Sequence, residues 1–206
     1  MVASFGVPLA VLPAATVALP AVGFALLLGL PALDVEWSHN PSHFWLVIGA
    51  GSLGGAIAYG TGEAARRRRD ARVFLVSLSF LVTSGGLVVH ALATPGVLRD
   101  GLSVDFVLAP PMGLLAGALL AAASAWLPDG RPARRAMRVL PVVRWVVLVA
   151  LATGAIVAAA DVSGSAGVPA PDSAVLLATA GIGFTLYLVA VIGYLRLIRY
   201  RPSPLL

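Results

Sequence analysis

The sequence predicts an all-α, polytopic membrane protein with six transmembrane helices and both termini on the cytoplasmic side. The chain of 206 residues is 59% hydrophobic and only 11% charged, with a mean hydropathy of +0.96. Soluble domains have about 25% charged residues, so a chain this apolar needs lipid as its solvent. Its apolar residues also fall into long unbroken runs, and its arginines cluster in alternate breaks between those runs.

Six apolar runs are long enough to cross a hydrocarbon core of about 30 Å as a helix, at about 1.5 Å per residue. The predicted spans of the single membrane domain are about 7–31, 43–61, 73–95, 104–127, 139–160 and 173–197. The first run lacks the basic start of a signal peptide, so we expect it to be retained as a helix. The breaks are short, which predicts that consecutive helices are antiparallel neighbours.

The arginines predict the orientation of the spans. They cluster after span two, between spans four and five, and after span six, whereas the other breaks contain only Arg99. Positively charged loops face the cytoplasm, so these three regions are expected inside. The arginines predicted to anchor this topology are Arg66, Arg67, Arg68, Arg69, Arg134 and Arg135. Contact with anionic lipid headgroups explains such charges, so no nucleic-acid partner is expected.

The residue composition indicates the compartment. All 14 basic residues are arginine, and the chain is rich in alanine, glycine, valine and leucine, which is typical of a GC-rich bacterial genome. We therefore expect a multi-pass protein of the bacterial cytoplasmic membrane. The chain has no cysteine, which excludes disulfides, thiolate metal sites and cysteine nucleophiles.

Glycines at four-residue spacing predict close helix packing. Gly51 and Gly55 lie in span two, and Gly113 and Gly117 lie in span four. Small residues at this spacing allow two helix backbones to approach closely, either within the chain or between copies in a homo-oligomer.

The middles of the spans contain hydroxyl groups but no aspartate, glutamate, arginine, lysine or histidine. Serines and threonines such as Ser77, Ser79 and Thr83 are expected to bond the carbonyl four residues earlier in their own helix. The absence of a midplane charge argues against an ion-coupled transporter.

The three histidines are predicted to lie at one depth of the membrane. His39 and His43 stand at the outer end of span two, and His90 stands near the outer end of span three. Glu36 and Asp105 fall on the same side. Imidazoles with a carboxylate suit Zn²⁺, and two imidazoles from different helices suit haem. The alternative is that the rings are interfacial residues without a ligand, because amphipathic rings are common there.

Two stretches, residues 43–98 and 193–206, resemble the N-terminal membrane region of some actinobacterial signalling proteins, including adenylate/guanylate cyclase-domain proteins and sensor kinases. The shared pattern is HFW at His43–Trp45, R-x-D-A-R-x-F-L-x-S-L-x-F at Arg68–Phe80 and HALATPGV at His90–Val97. The resemblance implies a membrane sensor that signals to a cytoplasmic domain or protein. Such relatives are expected to continue beyond RPSPLL, so this chain is expected to be part of a longer protein or a short version of one.

Four functions remain open at this stage. The sequence favours a non-catalytic sensory module whose input site is the outer cluster of histidines and acids. A metal-dependent intramembrane hydrolase would need His43, His90 and Asp105 within about 5 Å of a common point. A haem-bearing electron-transfer protein would need His43 and His90 to face each other across a cavity. A passive membrane scaffold would need no site.

Overall fold

The computed structural model describes residues 11–30, 32, 39–98, 100–160, 167–170 and 172–200. These residues form α-helices, and no β-strand occurs among them. The helices are α1 (Val11–Gly29), α2 (Asn40–Arg68), α3 (Ala71–Leu92), α4 (Val104–Trp126), α5 (Arg131–Ala159) and α6 (Ala174–Tyr200).

The helices α2 to α6 are long and apolar enough to cross a membrane. This finding fits the predicted class of all-helical membrane protein. The first predicted span, residues 7–31, falls on α1, which is not among these five helices, and the first ten residues of the chain lie outside the described part.

The chain divides into two units, residues 1–39 and residues 40–206. In the first unit, α1 continues through Pro13 and Pro20. In the second unit, α3 is the central helix because it packs against α2, α4 and α5, while α6 packs against α4. Half of the apolar stretch of α3 is buried, whereas 17% or less of the apolar stretch is buried in each of α2, α4, α5 and α6.

Consecutive helices of the second unit run in opposite directions, so the unit has two distinct ends. We call one the histidine end, where His43, His90 and Phe106 meet. We call the other the arginine end, where Arg72 of α3 bonds the carbonyl oxygen of Leu127, the residue after α4. Helices α2 and α4 begin at the histidine end, and α3 and α5 begin at the arginine end.

The predicted break between spans two and three is a tight turn. Helix α2 continues past its apolar run to Arg68, because the sequence TGEAARRR contains strong helix formers and Glu63 forms an ion pair with Arg66 one turn later. The helix ends at Arg68, and the next residue, Arg69, has a φ of 55°. Asp70 then caps α3, and its carboxylate accepts hydrogen bonds from two backbone N–H groups of the first turn.

The glycines at four-residue spacing contact neighbouring helices of the same chain. A Cβ added at Gly51 would lie 3.0 Å from a backbone carbonyl oxygen of α3, and one added at Gly113 would lie 3.3 Å from a Cα atom of α3. Gly117 is packed as closely against α3, whereas a Cβ at Gly55 would have its nearest neighbour at 4.0 Å. These glycines therefore let α2 and α4 approach the central helix.

The hydroxyl groups of α3 correct one expectation. Ser77 donates to a carbonyl of its own helix, as expected, although the acceptor is Phe74, three residues earlier and not four. Ser79 does not, because its Oγ donates to the carbonyl oxygen of Gly117 on α4 at 2.7 Å, and Thr83 donates to Gly113 at 3.3 Å. The glycine face of α4 lies so close that short side chains reach its backbone, and these bonds join the two helices.

Candidate functional site

The histidine end contains a hydrogen-bonded chain that joins three helices. His43 lies in the first turn of α2 and His90 in the last turn of α3. Their Nε2 atoms are 3.1 Å apart. The Nδ1 atom of His90 lies 2.6 Å from the backbone carbonyl oxygen of Phe106 in the first turn of α4. One pair of imidazoles therefore connects α2, α3 and α4.

The Phe106 carbonyl is available because of a proline. In an α-helix this oxygen would accept a hydrogen bond from the backbone N–H four residues later. That residue is Pro110, which has no N–H. The carbonyl thus lacks its partner within α4, and the ring of His90 supplies a donor from the neighbouring helix.

The contacts determine which ring nitrogens carry hydrogen atoms. A backbone carbonyl can only accept, so Nδ1 of His90 is protonated and donates to Phe106. In a neutral imidazole the other nitrogen then has a free lone pair, so Nε2 of His90 is an acceptor. Nε2 of His43 must therefore donate to it, and Nδ1 of His43 is the remaining acceptor of the neutral pair.

Aromatic contacts hold both rings in place. The ring of His90 stacks on that of Phe106, with centroids 4.2 Å apart and planes at 28°. The ring of His43 meets His90 edge-on, with centroids 5.3 Å apart and planes at 82°. Ser103 fixes the start of α4, because its buried side chain accepts a hydrogen bond from the backbone N–H of Phe106.

Of the residues predicted to form the outer site, the structure brings His43 and His90 into contact. Asp105 precedes Phe106 in the first turn of α4. His39 belongs to the first unit, and Glu36 lies outside the described residues. Within the described part of the chain, no group of three or more histidine or acidic residues is arranged to hold a metal ion.

The histidine pair fits some ligands better than others. Haem ligation places an iron and its macrocycle between two imidazoles, but these rings are in direct hydrogen-bonding contact. Zinc–nitrogen bonds of about 2.0–2.1 Å would separate two imidazole nitrogens by about 3.3 Å. The observed 3.1 Å is therefore close to two corners of a zinc tetrahedron. Other groups would have to supply the remaining corners.

A second polar cluster lies nearer the arginine end and was not predicted from the sequence. Arg144 of α5 is only 6% exposed. Its Nη1 atom lies 3.5 Å from a carboxylate oxygen of Glu63, and its guanidinium lies over the rings of Tyr59 and Phe74 at 4.8 Å and 5.5 Å from their centroids. The available signal was the position of Arg144 inside an apolar run, because charges within spans are rare and usually have specific partners.

No protein-family model, curated protein or solved structure matches the chain. The assignment of class therefore depends on the fold and its apolar helices, which are those of an all-helical membrane protein.

Proposed function

We propose that the chain is a non-catalytic sensory module of a bacterial cytoplasmic membrane, with six spans and both termini inside. The histidine pair is its input site, and the output is directed to a cytoplasmic signalling domain or protein. The observation that carries the proposal is the chain of hydrogen bonds from His43 through His90 to Phe106. It links three helices through two imidazole rings, side chains whose nitrogen atoms can bind protons or a metal ion.

The distribution of arginines supports this orientation. The arginine end collects the charges at the end of α2 and at the start of α5, and positive loops remain in the cytoplasm. The histidine pair would then face the outside of the cell. With α1 as the first of the six spans, the N-terminus also lies inside.

Protonation of the pair provides a mechanism. The neutral pair can accept one proton at Nδ1 of His43 without losing its hydrogen bond. A second proton would occupy the lone pair on Nε2 of His90, so two N–H groups would then face each other. That state has lost the hydrogen bond and gained the repulsion between two positive rings. The acidic residue closest in sequence to the Phe106 carbonyl is Asp105, in the first turn of α4.

The fold offers a route from the pair to the opposite end. Separation of α2 from α3 at the histidine end changes the packing around the central helix, and α4 connects α3 to α6. The signal is thus a shift in population between two packings of the same helices. The resemblance of residues 43–98 to membrane regions of signalling proteins supports an output at the cytoplasmic end.

Distance measurements between two labels test the proposal. The chain has no cysteine, so Arg67→Cys and Leu195→Cys provide two spin-label sites without background. Arg67 is exposed near the end of α2, and Leu195 is exposed near the end of α6. In lipid nanodiscs, we expect a second distance population to appear as the pH falls from about 8 to 5.

The expected shift should disappear in His43→Gln and His90→Gln and persist in His39→Gln. A distance distribution that ignores pH, or a shift that survives in both pair variants, would contradict the proposal and favour a passive scaffold. The same distance measurement with zinc added at neutral pH tests whether a metal ion, bound by the nitrogen atoms of His43 and His90, is the input instead of a proton.

A further inference from the structure

A basic cavity lies at the arginine end, between the end of α2 and the start of α5. Its volume is about 460 Å³, and the described residues that line it are Arg66, Arg69, Arg134, Met137, Arg138 and Pro141. We propose that this cavity binds a phosphate group, carried by an anionic phospholipid or present as a free phosphate ion. The proposal is independent of the histidine pair.

The charges of the cavity converge from two helices. Arg134 and Arg138 are four residues apart on α5 and share one face, where two like charges destabilise the helix. Arg66 and Arg69 come from the end of α2. None of these lining residues is acidic. An anion held between the guanidinium groups would remove the repulsion that the cavity otherwise contains.

The acidic side chain that pairs with the lining residue Arg66 also pairs with other arginines. The carboxylate of Glu63 forms ion pairs with Arg66, Arg67 and Arg144. One carboxylate therefore pairs with three guanidinium groups, so this part of the protein has an excess of positive charge. Arg144 lies on the inner side of this cluster, where its Nε and Nη1 atoms are buried without a hydrogen-bond partner among the described residues.

The strained backbone of Arg69 indicates that its side chain has a function at the cavity. Its φ of 55° is a left-handed conformation that closes α2, with the N–H of Asp70 bonded to the carbonyl oxygen of Ala65 at 2.9 Å. Glycine is the usual residue at such a helix end because any Cβ there is strained. Strained positions often mark functional sites, and the strained residue here places a guanidinium at the cavity.

The start of α5 adds to the positive potential. The helix begins after Gly130, which makes no side-chain hydrogen bond to the backbone N–H groups of the first turn. The positive end of the helix dipole therefore lies in the turn that carries Arg134.

A phosphate group matches this site better than a carboxylate alone, because it has more acceptor oxygens for several guanidinium forks. The apolar side of the cavity suits a lipid as the source. Met137 and Pro141 line it, and Val142 and Trp145 of α5 are exposed beside it in the apolar run. An acyl chain could follow this surface while its phosphate occupies the cavity, as in basic pockets between transmembrane helices that bind anionic lipids.

Native mass spectrometry of the full chain tests the proposal. The protein is released from nanodiscs of phosphatidylcholine with phosphatidylglycerol, and retained lipid is counted. The test variant is Arg134→Gln with Arg138→Gln, and the matched control is Arg68→Gln with Arg135→Gln. The control removes the same charge at the same end from residues outside the lining set. We expect the parent and control to retain phosphatidylglycerol, and the test variant to bind it at least about tenfold more weakly.

Further measurements distinguish a lipid phosphate from a free phosphate ion and separate effects on binding from effects on folding. Equal retention of both lipids, with a thermal midpoint that millimolar sodium phosphate raises in the parent but not in the test variant, would identify free phosphate as the ligand. Arg69→Gly should raise the thermal midpoint and weaken binding, a combination that a purely structural role would not produce. His90→Gln should retain the lipid.

Equal losses of lipid in the test and control variants would overturn the proposal, because they would indicate only unspecific attraction of charges. Unchanged binding in the folded test variant would overturn it as well. A thermal midpoint of that variant close to the parent's establishes that it is folded.

Discussion

The substitution His90→Ala removes every contact of the ring that joins three helices. It leaves Nε2–H of His43 without its acceptor and the carbonyl oxygen of Phe106 without its donor. Since Pro110 has no N–H, α4 cannot satisfy that carbonyl by itself. The stacked contact between the rings of His90 and Phe106 is lost as well.

These losses add up to a measurable effect. Each hydrogen bond between transmembrane helices contributes about 0.6–2 kcal/mol, and the stacked ring pair adds about 0.5–1.5 kcal/mol. We therefore expect His90→Ala to lower the free energy of unfolding by about 3 kcal/mol. The measurement is equilibrium unfolding in mixed micelles with rising fractions of sodium dodecyl sulfate, followed by circular dichroism.

A second substitution isolates the carbonyl. Pro110→Ala restores the backbone N–H that can bond Phe106 within α4. In this background, His90→Ala should cost about 1–2 kcal/mol less than in the parent, because the carbonyl no longer loses its only donor. Equal effects of His90→Ala in the two backgrounds would refute the reasoning that the proline creates the acceptor for the histidine.

Three further outcomes are expected from the packing of the second unit. Gly117→Ala should lower the free energy of unfolding by about 1–3 kcal/mol, because its Cβ would overlap the hydroxyl oxygen of Thr83 and lie 3.1 Å from that of Tyr187. Gly60→Ala faces open space and should not lower it. Arg69→Gly should raise the free energy of unfolding by about 1 kcal/mol in the same assay, because glycine tolerates the positive φ. Arg144→Lys should lower the thermal midpoint despite its retained charge, because an ammonium cannot stack on the two aromatic rings as a planar guanidinium does; a midpoint equal to the parent's would show that the stacking is unimportant.

The sequence was sufficient to predict helices α2 to α6 and their class, because a long apolar run has few other stable structures in lipid. It was less informative about helix ends. The segments around Arg66 and Arg134 were assigned to breaks by their charge, but strong helix formers continue the helices beyond their apolar parts. Charge and helicity are separate properties, and only the first determines where a span leaves the lipid.

The lateral position of side chains could not be predicted from one sequence. Topology places His43 and His90 at one depth, but their contact depends on which helices are neighbours and on how each is rotated. The same limit explains Ser79, whose hydroxyl could bond its own helix or the next one. The close approach of Gly117 decided between them. The burial of Arg144 was missed for this reason too, because its partners lie on two other helices.

The central position of α3 has a consequence for how the protein is made. This helix carries buried hydroxyl groups at Ser77, Ser79 and Ser84 and an imidazole near its end. Hydrocarbon penalises such groups when they have no partner. As a single helix in lipid, α3 would therefore be less stable than its mean hydropathy suggests. Its partner α2 is synthesised just before it, and α4 is synthesised just after it. Both of these packing partners of α3 are therefore its neighbours in the order of translation and membrane insertion.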